Sequence, residues 1–268
     1  MKKDYSKLVS GQYRKNLWAP FRKAIANYQL IEDGDHVAVC ISGGKDSMIM
    51  ALLIKQLLMN HEIAFKATYI VLNPGYEQRH LDQIKANALR LQLDLEIFDI
   101  DIFEQIAIAQ NDAKQCYLCA RKRRGHLYQK AQQLGCNKIA LGHHQDDLLE
   151  TLAMNLFFKG TYATLMPKLH SKNFEPLQLI RPLILVEETA IKRFVLEQDF
   201  YFLSCACPHE DRQKAHGDRQ KARRLLDQLF AIDPRIKDSL LHSQSSINLE
   251  QIFATRSKGT KKNFLENY

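Results

Sequence analysis

The chain has 268 residues, 46% hydrophobic and 25% charged, and 38 Lys and Arg against 30 Asp and Glu give a net charge of +8. That length suits one large domain or a domain with an appendage, and ordinary hydrophobicity with mixed charge signs excludes wholesale disorder. With 11 Gly and 7 Pro the chain is neither collagen-like nor low-complexity. No apolar run reaches the ~18 residues of a membrane span, and Met1–Lys7 leads into no apolar leader, so a cytoplasmic protein with no membrane partner is expected.

In chain order, residues 10 to 29 carry Leu17, Phe21, Ala24, Ile25 and Tyr28 at helical spacing, which predicts an amphipathic helix. Val37–Ile41 is a continuous β-branched run, the pattern of a strand covered on both faces. Ser42-Gly43-Gly44 breaks it, and residues 46 to 60 read as helix. The alternation repeats: strand 65–72 and helix 78–91, strand 95–100 and helix 101–110, strand 138–141 and helix 145–158, strand 179–186 and helix 187–198. Alternating elements predict an α/β fold, a parallel sheet with helices on both faces. Residues 209 to 254 read as helical throughout, and 256 to 268 as a basic, mobile tail. The expected organisation is an N-terminal helical segment (1–30), a central domain (31–208) and a C-terminal helical extension with the tail (209–268).

Charge is clustered. Residues 1 to 30 hold seven Lys and Arg against Asp4 alone; Arg121-Lys122-Arg123-Arg124 forms a second group; Arg212, Lys214, Arg219, Lys221, Arg223 and Arg224 form a third. Three separated clusters suit a long polyanion better than a small metabolite.

Ser42-Gly43-Gly44-Lys45-Asp46-Ser47 lies between a predicted strand and a predicted helix, at the sheet edge where open α/β folds bind ligands. Two glycines admit backbone amides to an anion, a helix N-terminus adds unpaired N–H groups, two hydroxyls add donors and Lys45 adds charge: the chemistry of phosphate binding. A Walker A loop is excluded, since the residue five before Gly44 is Val39 and Asp46 follows the lysine. At the same edge, Gly142-His143-His144-Gln145-Asp146-Asp147, with Glu150 and Thr151, offers oxygen ligands of the kind Mg²⁺ takes and two imidazoles for phosphate contact or proton transfer. Helix capping is the plainer use of Asp146 and Asp147.

Six cysteines stand at 40, 116, 119, 136, 205 and 207. Cys116-Tyr117-Leu118-Cys119 has the spacing of two ligands to one metal or cluster, and the basic run after it favours thiolates. Cys205-Ala206-Cys207-Pro208 follows a later αβ unit. Cys40 and Cys136 read as small core residues.

The loop S-G-G-K-D-S resembles the signature of the PP-loop ATPases, or N-type ATP pyrophosphatases. G-H-H-x-D-D-x-x-E-T is similar to the second motif of PP-loop enzymes that modify tRNA. The C-x-x-C, R-K-R-R-G and late cysteine pair resemble the tRNA 2-thiocytidine synthetase family in particular, over residues 10 to 230, with further matches at Met166–Leu169 and Ile180–Leu183. The resemblance implies the adenine nucleotide α-hydrolase fold and cleavage of ATP between its α and β phosphates. It implies ATP on Ser42, Gly43, Gly44, Lys45, Asp46, Ser47, His143 and Asp146, Mg²⁺ on Asp46 and Asp147, and chemistry at Lys45, Asp46, His143 and Asp147. Cys116 and Cys119 match two of the family's three [4Fe–4S] ligands; the third is Cys205 or Cys207, with Cys207 favoured because Cys-Pro often ends such a run. The fourth iron of that family is open, and sulfur passes through it.

The implied activity is thiolation of a cytidine in tRNA, position 32, with Arg121, Lys122, Arg123 and Arg124 holding the RNA. A sulfur donor such as a cysteine desulfurase is an implied partner, and a homodimer is expected from the family resemblance and the apolar N-terminal helix. The alternatives are another PP-loop tRNA modification such as lysidine formation, or a non-catalytic RNA-binding or redox-sensing protein. Two departures stand out: Leu72-Asn73-Pro74-Gly75 lacks the acidic residue the family carries there, and the late cysteines are C-x-C rather than C-x-x-C.

Overall fold

The structure is a computed structural model that describes residues 3–100, 112–202, 217–257 and 259–267, of which 112–120 and 267 are described by backbone alone. Helix α1 (Tyr5–Ser10) is capped by Asp4, whose carboxylate accepts from the Ser6 and Lys7 N–H groups at 3.1 and 3.3 Å. A π-turn (Arg14–Trp18) leads into α2 (Ala19–Asn27), with Pro20 in its first turn. The predicted helix over 10–29 is therefore two helices and a π-turn, and it starts earlier. Most of its apolar face is spent within the chain: Val9, Leu17, Trp18 and Phe21 are buried in the main core, each contributing about 1.5–3 kcal/mol.

The alternating units follow: β1 (His36–Ile41), α3 (Lys45–Asn60), β2 (Lys66–Asn73), α4 (Gln78–Leu91), β3 (Leu95–Asp99), α5 (Asp112–Gln133), β4 (Lys138–Ala140), α6 (Gln145–Lys159), β5 (Lys168–His170), β6 (Gln178–Ile180) and α7 (Glu188–Glu197). The sheet order is β3-β2-β1-β4-β6-β5, parallel except for antiparallel β5 at one edge. Along β1, Val37, Val39 and Ile41 enter the main core under α3, while Ala38 and Cys40 enter a second core with Tyr128 and Ala131 of α5. Helices on both faces explain why β1 is apolar throughout. The chain runs outward from β1 to β3, then returns to place β4 on the other side of β1. The β1–β4 junction is thus the switch point of the sheet, and the carboxyl ends of these two strands flank its crevice. Below it, the buried Lys138 ammonium pairs with Asp35 at 2.6 Å and Glu32 at 3.2 Å, fastening β4 to the turn that enters β1.

Several expectations are corrected. The strand expected over 179–186 ends at Ile180, because Pro182 has no N–H for the ladder; residues 181–186 form buried turns closed by Ile184 N–H to Arg181 O and Val186 N–H to Leu183 O. The extension is not helical throughout. Helix α8 (Asp218–Ile232) stops at extended Asp233 before Pro234, and α9 (Arg235–His242) follows. The tail folds into a hairpin of β7 (Ala254–Ser257) and β8 (Thr260–Asn263). The predicted helix over 101–110 lies outside the described residues. Among the described residues no helix is long and apolar enough to cross a membrane.

Candidate active site at the switch point

The loop between β1 and α3 is built around two serines. Ser47 Oγ accepts from Ser42 N–H at 3.1 Å, lies 3.1 Å from Ser42 Oγ and donates to Gly44 O at 2.9 Å. Gly43 has φ +85°, and an added Cβ would stand 2.7 Å from Ile84 Cδ1 of α4, so both backbone and space demand glycine. The Lys45 ammonium lies 3.0 Å from Asp46 Oδ2 and 2.9 Å from Glu188 Oε1 at the start of α7. Burial opposes its charge, but Asp46 and Glu188 hold its pKa above the usual lysine range. Glu188 is in turn held down to about 2: burial works against this, and Lys192 and Lys45 overcome it.

The β4–α6 turn meets this loop closely. A Cβ on Gly142 would lie 3.0 Å from Ser47 N and 3.1 Å from Asp46 C, so a side chain there would push the two loops apart. His144 caps α6: its Nδ1 accepts from Asp147 N–H at 3.3 Å, and its own N–H donates to Asp147 Oδ2 at 2.9 Å. Asp146 Oδ2 accepts from Glu188 N–H at 2.7 Å, which turns it to the N-terminus of α7. Asp147 Oδ1 receives the Arg219 guanidinium of α8. Glu150 is buried between Arg219 at 2.7 Å and Arg223 at 2.5 Å.

Between the two loops lies a cavity of about 330 Å³, lined by Ser42, Asp46, Ser47, Gly142, His143 and Asp147 and closed on one side by Arg123 and Leu127 of α5. Burial and the nearby Arg181 guanidinium bring the His143 pKa down to about 4, so it faces the cavity as a neutral imidazole. Its Nδ1 and Asp46 Oδ1, atoms of two residues that line the cavity, are buried without a hydrogen-bond partner among the described residues. Arg123 donates to the Tyr76 hydroxyl and lies 5.7 Å from its ring centroid. Asn73, where an acid was expected, accepts from Tyr76 N–H at 2.7 Å and donates to Asp99 at 2.6 Å: it builds the turn beneath the Arg123 wall.

The PP-loop domain model matches residues 15–213, about three quarters of the chain. The chain belongs to the PP-loop domain family. Curated relatives of this PP-loop protein carry the name tRNA-cytidine(32) 2-sulfurtransferase. The one from Geobacter sulfurreducens is 38% identical over 229 residues, 84% of this chain and 87% of its own. Those from Syntrophotalea carbinolica and Legionella pneumophila are each 35% identical, over 84% and 86% of this chain and 86% and 80% of theirs. Membership extends to the branch these relatives form, as the resemblance implied. Among solved structures, the U34-tRNA thiolase NcsA from Methanococcus maripaludis with its [4Fe-4S] cluster shares the fold, with TM-score 0.64 and 20% identity over 85% of this chain and 76% of that one.

The PP-loop and the second motif therefore meet in one cleft: Ser42, Asp46, Ser47, His143 and Asp147 line it, Gly43 and Gly44 shape the loop beside it, and Lys45, Asp146 and Glu150 are engaged with α7 and α8. Cys116 and Cys119 stand one turn apart in the α5 backbone, and no side-chain position is described for them. Cys205 and Cys207 lie outside the described residues. Arg121 and Arg124 are exposed, whereas Arg123 is turned to the cavity. Glu188, Arg219 and Arg223 were missed as parts of the site. The available signal was the pairing of Asp147 and Glu150, three apart on one helix, with Arg219 and Arg223, four apart on another.

Proposed function

We propose that this PP-loop protein is an ATP-dependent tRNA sulfurtransferase that activates C2 of a cytidine, position 32 by kinship, and replaces its oxygen with sulfur. The observation that carries the reading is a shared wall: α5, the helix that bears Cys116 and Cys119, closes the same cavity that Ser42, Asp46 and Asp147 line.

ATP would lie on the Ser42–Ser47 loop, its phosphates on the backbone amides, the two hydroxyls and the N-terminus of α3. The C2 oxygen of the base attacks the α phosphate and pyrophosphate leaves. Lys45 and the loop amides stabilise the charge that develops on the leaving phosphates. Neutral His143 offers a hydrogen bond at the cavity wall without adding a charge there. Mg²⁺ takes few protein ligands and keeps waters and phosphates; the unpartnered Asp46 Oδ1 fits that need, and Asp147, whose two oxygens are held by His144 N–H and Arg219, would reach the ion through one of its waters. The thiolates of Cys116 and Cys119, with Cys207 or Cys205 as third, fit a [4Fe–4S] cluster by donor type and spacing, and such a group would supply an iron site that activates sulfur from an external donor such as a cysteine desulfurase. Exposed Arg121 and Arg124, with Lys122, would hold the RNA backbone beside the cleft.

The test is mass spectrometry of nucleosides from bulk tRNA. A strain lacking this gene should lose 2-thiocytidine, and the intact gene should restore it while Lys45→Ala and Cys116→Ala do not. An unchanged 2-thiocytidine level in the deletion strain would sink the proposal.

A further inference from the structure

The PP-loop model ends at residue 213, yet the helix beyond it pairs with Asp147 of the cleft. A continuous chain of ion pairs runs from one loop to the other through α8. Lys45 meets Glu188 at 2.9 Å, Glu188 meets Arg223 at 3.5 Å, Arg223 meets Glu150 at 2.5 Å, Glu150 meets Arg219 at 2.7 Å, and Arg219 meets Asp147. Both ends are groups of the site: the loop lysine and a carboxylate that lines the cavity. We infer that Arg219 and Arg223 are positioning residues of the ATP cleft, which fix Asp147 directly and Lys45 through Glu188. The inference rests on the reading of the cleft as an ATP site.

The geometry favours positioning over simple surface pairing. Side chains of Asp147 and Glu150 are 16% and 5% exposed, so their charges are poorly solvated and need partners at fixed angles. Arg219 meets both at once, Nε on Glu150 and a terminal nitrogen on Asp147, a two-pronged contact that a planar guanidinium makes and a single ammonium does not. Asp147 Oδ2 is already held by His144 N–H, so Arg219 fixes the remaining oxygen and with it the face the carboxylate turns to the cavity. Helix α8 is itself seated on α6 by the buried Ala222 and Leu226, which gives the arginines a rigid base.

The experiment is equilibrium binding of a non-hydrolysable ATP analogue to the full chain with Mg²⁺ and without tRNA, alongside KM and kcat for tRNA-dependent pyrophosphate release. Arg219→Ala and Arg223→Ala should each weaken analogue binding about tenfold, as expected for loss of a charge-assisted bond to a buried carboxylate, and should raise the KM for ATP in parallel. Arg219→Lys should recover about half of that loss on a logarithmic scale. Gln228→Ala, exposed on the same helix, should bind as the parent does. Circular dichroism and the unfolding midpoint identify variants that remain folded at the assay temperature. Folded Arg219→Ala and Arg223→Ala proteins with analogue affinity and ATP KM within about twofold of the parent would overturn the inference and leave the arginines as a clasp that seats α8. If the parent protein binds no analogue, the ATP reading falls, and this inference with it.

Discussion

His143 and His144 are adjacent in sequence and do unlike things. His144 is buried as the cap of α6, its ring committed to a backbone N–H. His143 faces the cavity, and burial together with Arg181 lowers its pKa from 6.5 to about 4. The unfolded chain therefore binds the proton more readily than the folded one: stability from this residue is full above about pH 6.5 and is lost as pH falls toward about 4. We expect the His143 ring signals in an NMR titration to move with a midpoint near 4 and to stay flat between pH 6 and 8. A midpoint near 6.5 would show an imidazole in open solvent. The polar groups of this turn were legible from their types and order. Their division of labour was not, because it depends on Glu188 N–H meeting Asp146 and on Arg219 and Arg223 meeting Asp147 and Glu150, contacts 42 to 73 residues apart along the chain.

Elements with a strong local pattern were the easiest to read. The β-branched run of β1, the glycine break after it and the helical spacing of α3 state the phosphate loop without tertiary information. Helix α5 was missed because its exposed turns carry Arg121-Lys122-Arg123-Arg124 and few apolar residues, and β5 because three residues on an edge leave no period to detect. The 181–186 turns passed for strand because they are apolar and buried, which periodicity does not separate from a core strand. At this scale the contact between loops is the sensitive point. Gly142→Ala should weaken binding of an ATP analogue by about tenfold or more, since the methyl group meets Ser47 and Asp46 backbone, which has no rotamer to yield. Titration calorimetry reads this directly, and an unaltered affinity would mean that the two loops do not act on one ligand.

For the molecule as a whole, the net charge of +8 does not say which basic groups are free to meet a polyanion. Arg219 and Arg223 of the third basic cluster are paired with Asp147, Glu150 and Glu188, and Arg22 of the first with Glu62, so these guanidiniums are already committed to carboxylates although they stay partly exposed. What stays outward includes Arg121 and Arg124 on α5 and Arg256, Lys261 and Lys262 on the hairpin. Binding of tRNA should fall steeply between 50 and 200 mM salt, with log K decreasing by about 0.7–0.9 per unit of log salt for each phosphate contacted. The pair Arg121→Glu and Arg124→Glu should flatten that slope by about one contact or more in filter binding. A slope that does not change would remove α5 from the RNA-binding surface.

Helix α5 also acts as a ruler. At 1.5 Å per residue, Cys119 stands about 6 Å and Cys116 about 10 Å along the helix axis from Arg123, which walls the cavity. A base activated in the cleft would reach the cysteine-bearing turns by swinging, with its tRNA still docked. The activated intermediate would then be handed on faster than it is shed, so free adenylated tRNA, which water would waste, should not build up during turnover.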